Sequence, residues 1–373
     1  MAEPAAVDLT CCQIRRQRLL DVMQAEGWTR VILTSYQAVQ WISGARFATP
    51  FRPICSLEAS GELVLVAPHK VPDSHAADTA VAYPAKWLST MRSEQTAAAV
   101  EQWLATTGNS VCAGKIAIEF GDAPMELTRR LGNVELHDVD PAMFALRRRK
   151  EADELRLLRT AIAGTEKMYR VARELIRPGL TEIELFNHLQ TAAVEVFDEP
   201  LTGTGNDYRC NARGGMPRGD GHAAQAGELW ILDLGPAYRG YFADNARTIA
   251  VTEPTEDQLT AWTQIMQVFA HVEATARPGK SCRELFDEVQ AMLDQSPVGV
   301  FNHHLGHGIG LHPHEAPHLN PHWDDTFEVG DVFTAEPGLY DADRLRHGMR
   351  LENDYLITKT GVELLTPFPL ELK

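Results

Sequence analysis

Along residues 1–146 the apolar positions switch between the period of a helix and that of a strand. The spacing predicts helix over residues 14–26 and 94–105, and strand over 30–34, 62–67 and 115–120. Such alternation describes a small α/β domain with a mostly covered sheet. A charged stretch, RRRKEADELRLLR at 147–159, interrupts it, with apolar positions at Leu155, Leu158 and then Ile162. It reads as a solvated helix face connecting residues 1–146 to residues 147–373. Downstream, apolar runs at 229–234 and 241–251 flank Gly-Pro-Ala-Tyr-Arg-Gly, the pattern of a hairpin. A second hairpin is predicted from runs at 333–340 and 348–358, joined by a charged connection.

An internal repeat lies between these features. Arg177 begins RPGLTEIELFNHLQTA and Arg277 begins RPGKSCRELFDEVQAM, one hundred residues later. In each copy a helix is expected to end at Arg-Pro-Gly and another to start at a cap, Thr181 or Ser281. One such period indicates a duplicated αβ half rather than a solenoid, which needs more copies. The fold class expected is therefore α+β.

Composition changes this picture little. At 373 residues two domains are expected, and 44% hydrophobic with 23% charged residues is globular. A net charge of −16 speaks against nucleic acid, because no basic stripe is available to neutralise phosphates. No signal peptide or membrane span is expected. The cysteines at 11, 12, 55, 112, 210 and 282 are scattered without zinc-like spacing, which fits a reduced, cytoplasmic protein. The turn-rich RFATPFRP at 46–53 is an ordinary loop or a segment that closes over a substrate.

The candidate chemistry lies in the hairpins. If the first folds symmetrically about Tyr238 and Arg239, Asp233 and Asp244 come directly opposite each other. Two carboxylates ~4.5–5.5 Å apart at Cβ repel unless a proton or cation is shared. A metal site and a pair of solvated acids flanking a turn both fit the hairpin taken alone. Farther on, HHLGHGIGLHPHEAP places His307 between glycines, whose backbone can come close to whatever it holds. If the second hairpin pairs about Arg344, Glu336 and Glu352 are opposite partners. Four carboxylates and one imidazole do not suit a closed structural zinc site. They suit a pair of harder divalent ions, manganese first, with zinc or cobalt as alternatives. The sequence contains no EF-hand loop, HExxH helix or serine elbow.

The ordered set Asp233, Asp244, His307, Glu336 and Glu352, in LDLG…GYFADNART, GHGIGLHPHE, EPGLY and MRLEND, resembles the pita-bread metallopeptidases. These include Xaa-Pro aminopeptidases, prolidases and methionine aminopeptidases, with creatinase as a non-peptidase relative. The resemblance covers residues ~150–370. It implies a pita-bread fold of duplicated halves over 147–373 and an N-terminal creatinase-like α/β domain over 1–146. It also implies two divalent metal ions, a short peptide with proline after the scissile bond as substrate, and a homodimer. Asp233 would chelate one ion, His307 the other, and Asp244 and Glu352 would bridge them. Glu336 would bind metal and shuttle a proton. His303 and His314 would face the substrate carbonyl and oxyanion, with His304 competing for the role of His303. Thr334, Tyr340 and Arg350 fall in supporting positions or simply pack, while His312, His318 and His322 read as loop residues.

Two departures stand out. The pocket histidine usual in such proteins has no clear counterpart in CNARGGMPRGDGHAAQAG at 210–227, where the single histidine is His222. Either a loop has shortened or Arg213 or Arg218 has taken the role. Ala246 also replaces a common threonine. A creatinase-like or other non-peptidase activity is the alternative.

Overall fold

The structure, a computed structural model, describes residues 6–85, 95–108 and 114–373. Residue 94, the expected start of one helix, and Cys112 lie outside the described residues. The chain divides into two compact units, Ala6–Leu146 and Arg147–Lys373.

The first unit holds a mixed six-stranded sheet in the order Thr79–Tyr83, Leu63–Pro68, Ile54–Glu58, Arg30–Leu33, Ile116–Ile118, Leu136–Asp138. Ile54–Glu58 pairs antiparallel with both of its neighbours, and the other three pairings are parallel. Trp103, Ile32, Val66 and Ile116 are buried in its core. In the 46–53 loop, Arg52 is paired with Asp122 of the same unit.

The second unit repeats one design twice. Helices Ala152–Leu175 and Glu182–Phe197 belong to the first copy, Glu256–Thr275 and Cys282–Leu293 to the second. Thr181 accepts a hydrogen bond from the Glu184 amide, and Ser281 accepts one from the Glu284 amide, as the sequence predicts. The Gly179 amide donates to the Ala224 carbonyl and the Gly279 amide to the Phe327 carbonyl, so each Arg-Pro-Gly turn is tied to its own half. A three-stranded sheet follows in the first copy: Ala246–Ala250, Leu229–Asp233, Asp207–Cys210. Five strands follow in the second: Glu315–Leu319, Gly306–Gly308, Val332–Ala335, Asn353–Ile357, Val362–Leu364.

The charged stretch at 147–159 is solvated on one side only, at Arg149, Arg156 and Arg159. Arg147, Lys150, Asp153 and Glu154 are buried. Lys150 Nζ lies 3.0 Å and Arg147 Nε 3.2 Å from the carboxylate of Glu315, whose side chain is 1% exposed. Buried charges persist only when paired, and the partner here is 165 residues away in sequence, beyond the reach of local patterning.

Candidate metal centre

The first hairpin turns at Arg239 and Gly240, both with positive φ (50° and 88°), which fits a tight two-residue connection. Tyr238 therefore pairs with Tyr241, and the same register sets Asp233 against Ala246. Asp233 and Asp244 are thus not opposite partners. The turn sits one position later than the symmetric reading placed it, which shifts the pairing by two. A two-residue shift keeps a side chain on its face, whereas a shift of one reverses it. Asp244 accordingly stays on the face of Asp233 as a diagonal neighbour. It lies in a break between Tyr241–Phe242 and Ala246–Ala250, where the predicted run 241–251 divides.

The second hairpin has the expected register. Ala335 pairs with Asn353, and Gly338 with Arg350, so Glu336 and Glu352 fall opposite each other between two short ladders. Their amides bond elsewhere: Glu336 N–H to the Leu305 carbonyl (2.7 Å) and Glu352 N–H to the Ala246 carbonyl (2.9 Å). The Asn245 side-chain amide also donates to the Glu352 carbonyl, at 2.6 Å. The Glu352 main-chain bond thereby joins the second half to a strand of the first.

His307 sits in the short strand Gly306–Gly308, paired on both sides. The flanking glycines serve the protein's own backbone rather than a ligand. A Cβ on Gly306 would meet the Thr334 carbonyl oxygen at 2.0 Å, and one on Gly308 the Ala316 oxygen at 2.1 Å. The Nδ1 of His307 lies 3.0 Å from the Gly308 carbonyl oxygen. That bond keeps the proton on Nδ1 and turns the Nε2 lone pair toward Asp244 Oδ2 (3.7 Å) and Glu336 Oε1 (3.5 Å). Burial draws the imidazole pKa down to about 4, so it is neutral at pH 7, the form that binds metals.

All five residues singled out from the sequence line one cavity of about 270 Å³, together with His303, His304, His314, Asn206, Asp207, Arg213, Tyr340 and Arg350. Donor atoms of Asp233, Asp244 and Glu352 lie within 4.8 Å of one another, as do those of His307, Glu336 and Glu352. Glu352 belongs to both groups. Burial and neighbouring negative charge push the Asp244 and Glu352 carboxyls well above the usual range. Burial also raises Asp233, against the pull of Arg350. Asp233 Oδ1 and Glu352 Oε2 are buried without a hydrogen-bond partner. Crowded buried carboxylates with bare oxygens are a cost that a divalent cation removes, and the donor set fits one.

The surrounding groups are equally specific. Burial pushes Glu336 up, but its hydrogen bond to His304 Nε2 (2.7 Å) and the nearby imidazoles and Arg350 hold it below the ordinary range. The same bond raises His304. His303 instead faces the Tyr340 hydroxyl, 3.2 Å from its Nε2. His314 stacks on His307 with ring centroids 3.7 Å apart. Arg350 donates to Asp233 and Asp207, and Tyr340 completes its shell. Asp207 escaped sequence reading: its signal, an acid cross-strand from Asp233, emerges only with the register. The Thr334 hydroxyl accepts from the His307 amide at 3.3 Å. Of the three residues weighed for the missing pocket histidine, Arg213 lines the cavity. Arg218 is locked onto Glu182, and His222 onto Glu228.

A family model described as metallopeptidase family M24 matches residues 156–359, and one for the creatinase/prolidase N-terminal domain matches residues 15–149. The chain belongs to metallopeptidase family M24. An Xaa-Pro dipeptidase of Pyrococcus horikoshii is 30% identical over 256 residues, 66% of this M24 chain and 70% of that protein. Among solved structures, the prolidase from Pyrococcus horikoshii superposes with a TM-score of 0.82 at 22% identity, covering 96% of this chain and all (100%) of that one. An Xaa-Pro dipeptidase from Bacillus anthracis gives 0.82 at 21% identity, over 97% and 99%. The M24 enzyme thus has the α+β pita-bread fold with a creatinase-like N-terminal domain. No helix among the described residues is long and apolar enough to cross a membrane.

Proposed function

We propose that this M24 metallopeptidase uses two divalent ions to hydrolyse Xaa-Pro bonds in short peptides. The observation that carries the reading is the pair of donor groups sharing Glu352, with bare buried oxygens on Asp233 and Glu352. Asp233 and Asp244 would serve one ion, His307 and Glu336 the other, with Glu352 and Asp244 common to both. When bound, the ions supply Lewis acidity, giving a more acidic water and a polarised substrate carbonyl. Manganese suits this oxygen-rich set best, with cobalt and zinc as substitutes. Preference for proline rests on the similar proteins described as prolidase and Xaa-Pro dipeptidase.

Glu336 takes the proton of the attacking water and passes it to the departing prolyl nitrogen, while His304 holds the carboxylate in position. His303 and His314 line the cavity and would donate to the carbonyl oxygen as it gains charge. Arg213 is the substrate's cation. Its guanidinium stacks 4.0 Å from the Tyr340 ring centroid and donates to Asn302 at 2.6 Å. Arg350, the other cavity cation, is committed to Asp207 and Asp233. A free peptide carboxylate therefore pairs with Arg213, which favours dipeptides. A cytoplasmic homodimer is the assembly proposed.

The test is hydrolysis of Ala-Pro against Ala-Pro-Xaa by metal-depleted enzyme reloaded with manganese, cobalt or zinc. Ala-Pro cleavage restored by metal supports the reading. Failure to cleave either peptide with every metal sinks it.

A further inference from the structure

A second convergence of metal-ligating side chains lies at the far end of the strands that carry the catalytic acids. Asp207 and Asp233 are paired at one end of their two-stranded ladder, Cys210 and Trp230 at the other. Glu228, just before Leu229–Asp233, is thus a diagonal neighbour of Cys210 on the same face. Five residues of strand put Glu228 ~17 Å from Asp233, so this cluster is separate from the cavity. The third member, His222, comes from the segment that departs from the usual pocket sequence.

The Sγ of Cys210 lies 3.4 Å and the Nε2 of His222 3.3 Å from the same Glu228 oxygen, Oε2. Donor atoms of the three residues all lie within 4.8 Å of one another. A tetrahedral zinc ion with bonds of ~2.0–2.3 Å holds its ligand atoms ~3.3–3.8 Å apart. The 3.4 Å and 3.3 Å edges already match. Cys210 and Glu228 are buried and His222 half-buried, which leaves the outer side for a fourth ligand from solvent. The positions are fixed from behind. The Gln225 amide donates to Glu228 Oε2 at 2.9 Å, and the His222 carbonyl accepts from the Glu182 amide at 3.2 Å. Arg218 donates to the Cys210 carbonyl, but Glu182 matches its charge.

We propose that Cys210, His222 and Glu228 form a binding site for a borderline-soft divalent cation, zinc before all. Binding releases the thiol proton of Cys210 to solvent; thiolate and carboxylate then balance the two positive charges of the ion. The sulfur ligand selects against manganese, so the two centres of the molecule draw on different metals. The ion staples residues 211–227 to two strands of the sheet, and Arg213 belongs to that stretch.

Cobalt titration of the metal-depleted full-length enzyme tests this, because the catalytic donors include no sulfur. A thiolate-to-cobalt charge-transfer band in the near ultraviolet is expected, with the amplitude of one sulfur-bound ion per chain. The band should vanish in Cys210→Ser with peptidase activity retained, and Glu228→Gln should weaken its cobalt affinity more than ~10-fold. Zinc should displace the band and shield Cys210 from alkylation. Absence of the band in cobalt-restored, active wild-type enzyme overturns the proposal, as does a band that persists in Cys210→Ser. A band in an enzyme that cleaves neither peptide would refute the peptidase reading and leave this site standing.

Discussion

The Nη2 of Arg350 lies 2.8 Å from Asp233 Oδ2, inside the protein, and the same nitrogen also binds Asp207. Burial alone would lower the pKa of this guanidinium, yet Tyr340, Asp233 and Asp207 together lift it well above its ordinary value. One cation thus aims a candidate ligand while satisfying a second acid. Replacing it with Met removes one partner of a buried charge group, which costs ~3–5 kcal/mol. Arg350→Met is expected to lower the melting temperature and to weaken metal binding, both read by calorimetry with and without manganese.

Glu336 offers a cleaner test of chemistry. Glu336→Gln keeps the shape and one acceptor for His304, but it no longer carries a proton between water and leaving nitrogen. Loss of a general base is worth ~10²–10⁴ in rate, so kcat should fall by that factor with little change in melting temperature. A KM effect without a kcat effect would contradict the assignment.

Asp244 lies in the donor group with Asp233 and Glu352 and in a further one with His307 and His314. Asp244→Ala is expected to abolish activity with the fold retained and to reduce bound manganese from two ions per chain to one or none. Metal analysis alongside circular dichroism checks both parts.

Much of this site was legible in the sequence because each ligand breaks a strand pattern or sits in a distinctive turn. The second hairpin's register followed from symmetry about Arg344. The first did not, since left-handed backbone at both Arg239 and Gly240 moved the turn by one residue. Pairings across long sequence separations were invisible in principle. Arg147 and Lys150 looked solvated because Glu315 looked like one more residue of a histidine-rich loop. Likewise, the glycines around His307 read as room for a ligand, and the structure fills that room with the Thr334 and Ala316 carbonyls.

Glu315 gives a pH prediction. Burial pushes its carboxyl up, but Lys150 and Arg147 outweigh this and hold it below the ordinary value. A depressed folded-state pKa stabilises the protein above the unfolded value of ~4.3. That contribution is lost as pH falls through the lower folded value. Glu315→Gln should therefore be less stable at neutral pH, and its disadvantage should shrink in acid below about pH 4. Urea unfolding of both proteins across that range measures it; a constant difference would refute the pairing.

Gly308→Ala puts a methyl group against the Ala316 carbonyl in a strand paired on both sides. Overpacking costs ~1–3 kcal/mol, and the backbone shift should move His307. Reduced stability with a larger loss of metal affinity than of fold is expected from titration and thermal melts.

The bond from Glu352 N–H to the Ala246 carbonyl makes the gap between the two halves a main-chain dimension. Side-chain rotamers adjust within it, but they do not set it. The seat for the cations is consequently rigid in width before any ion arrives.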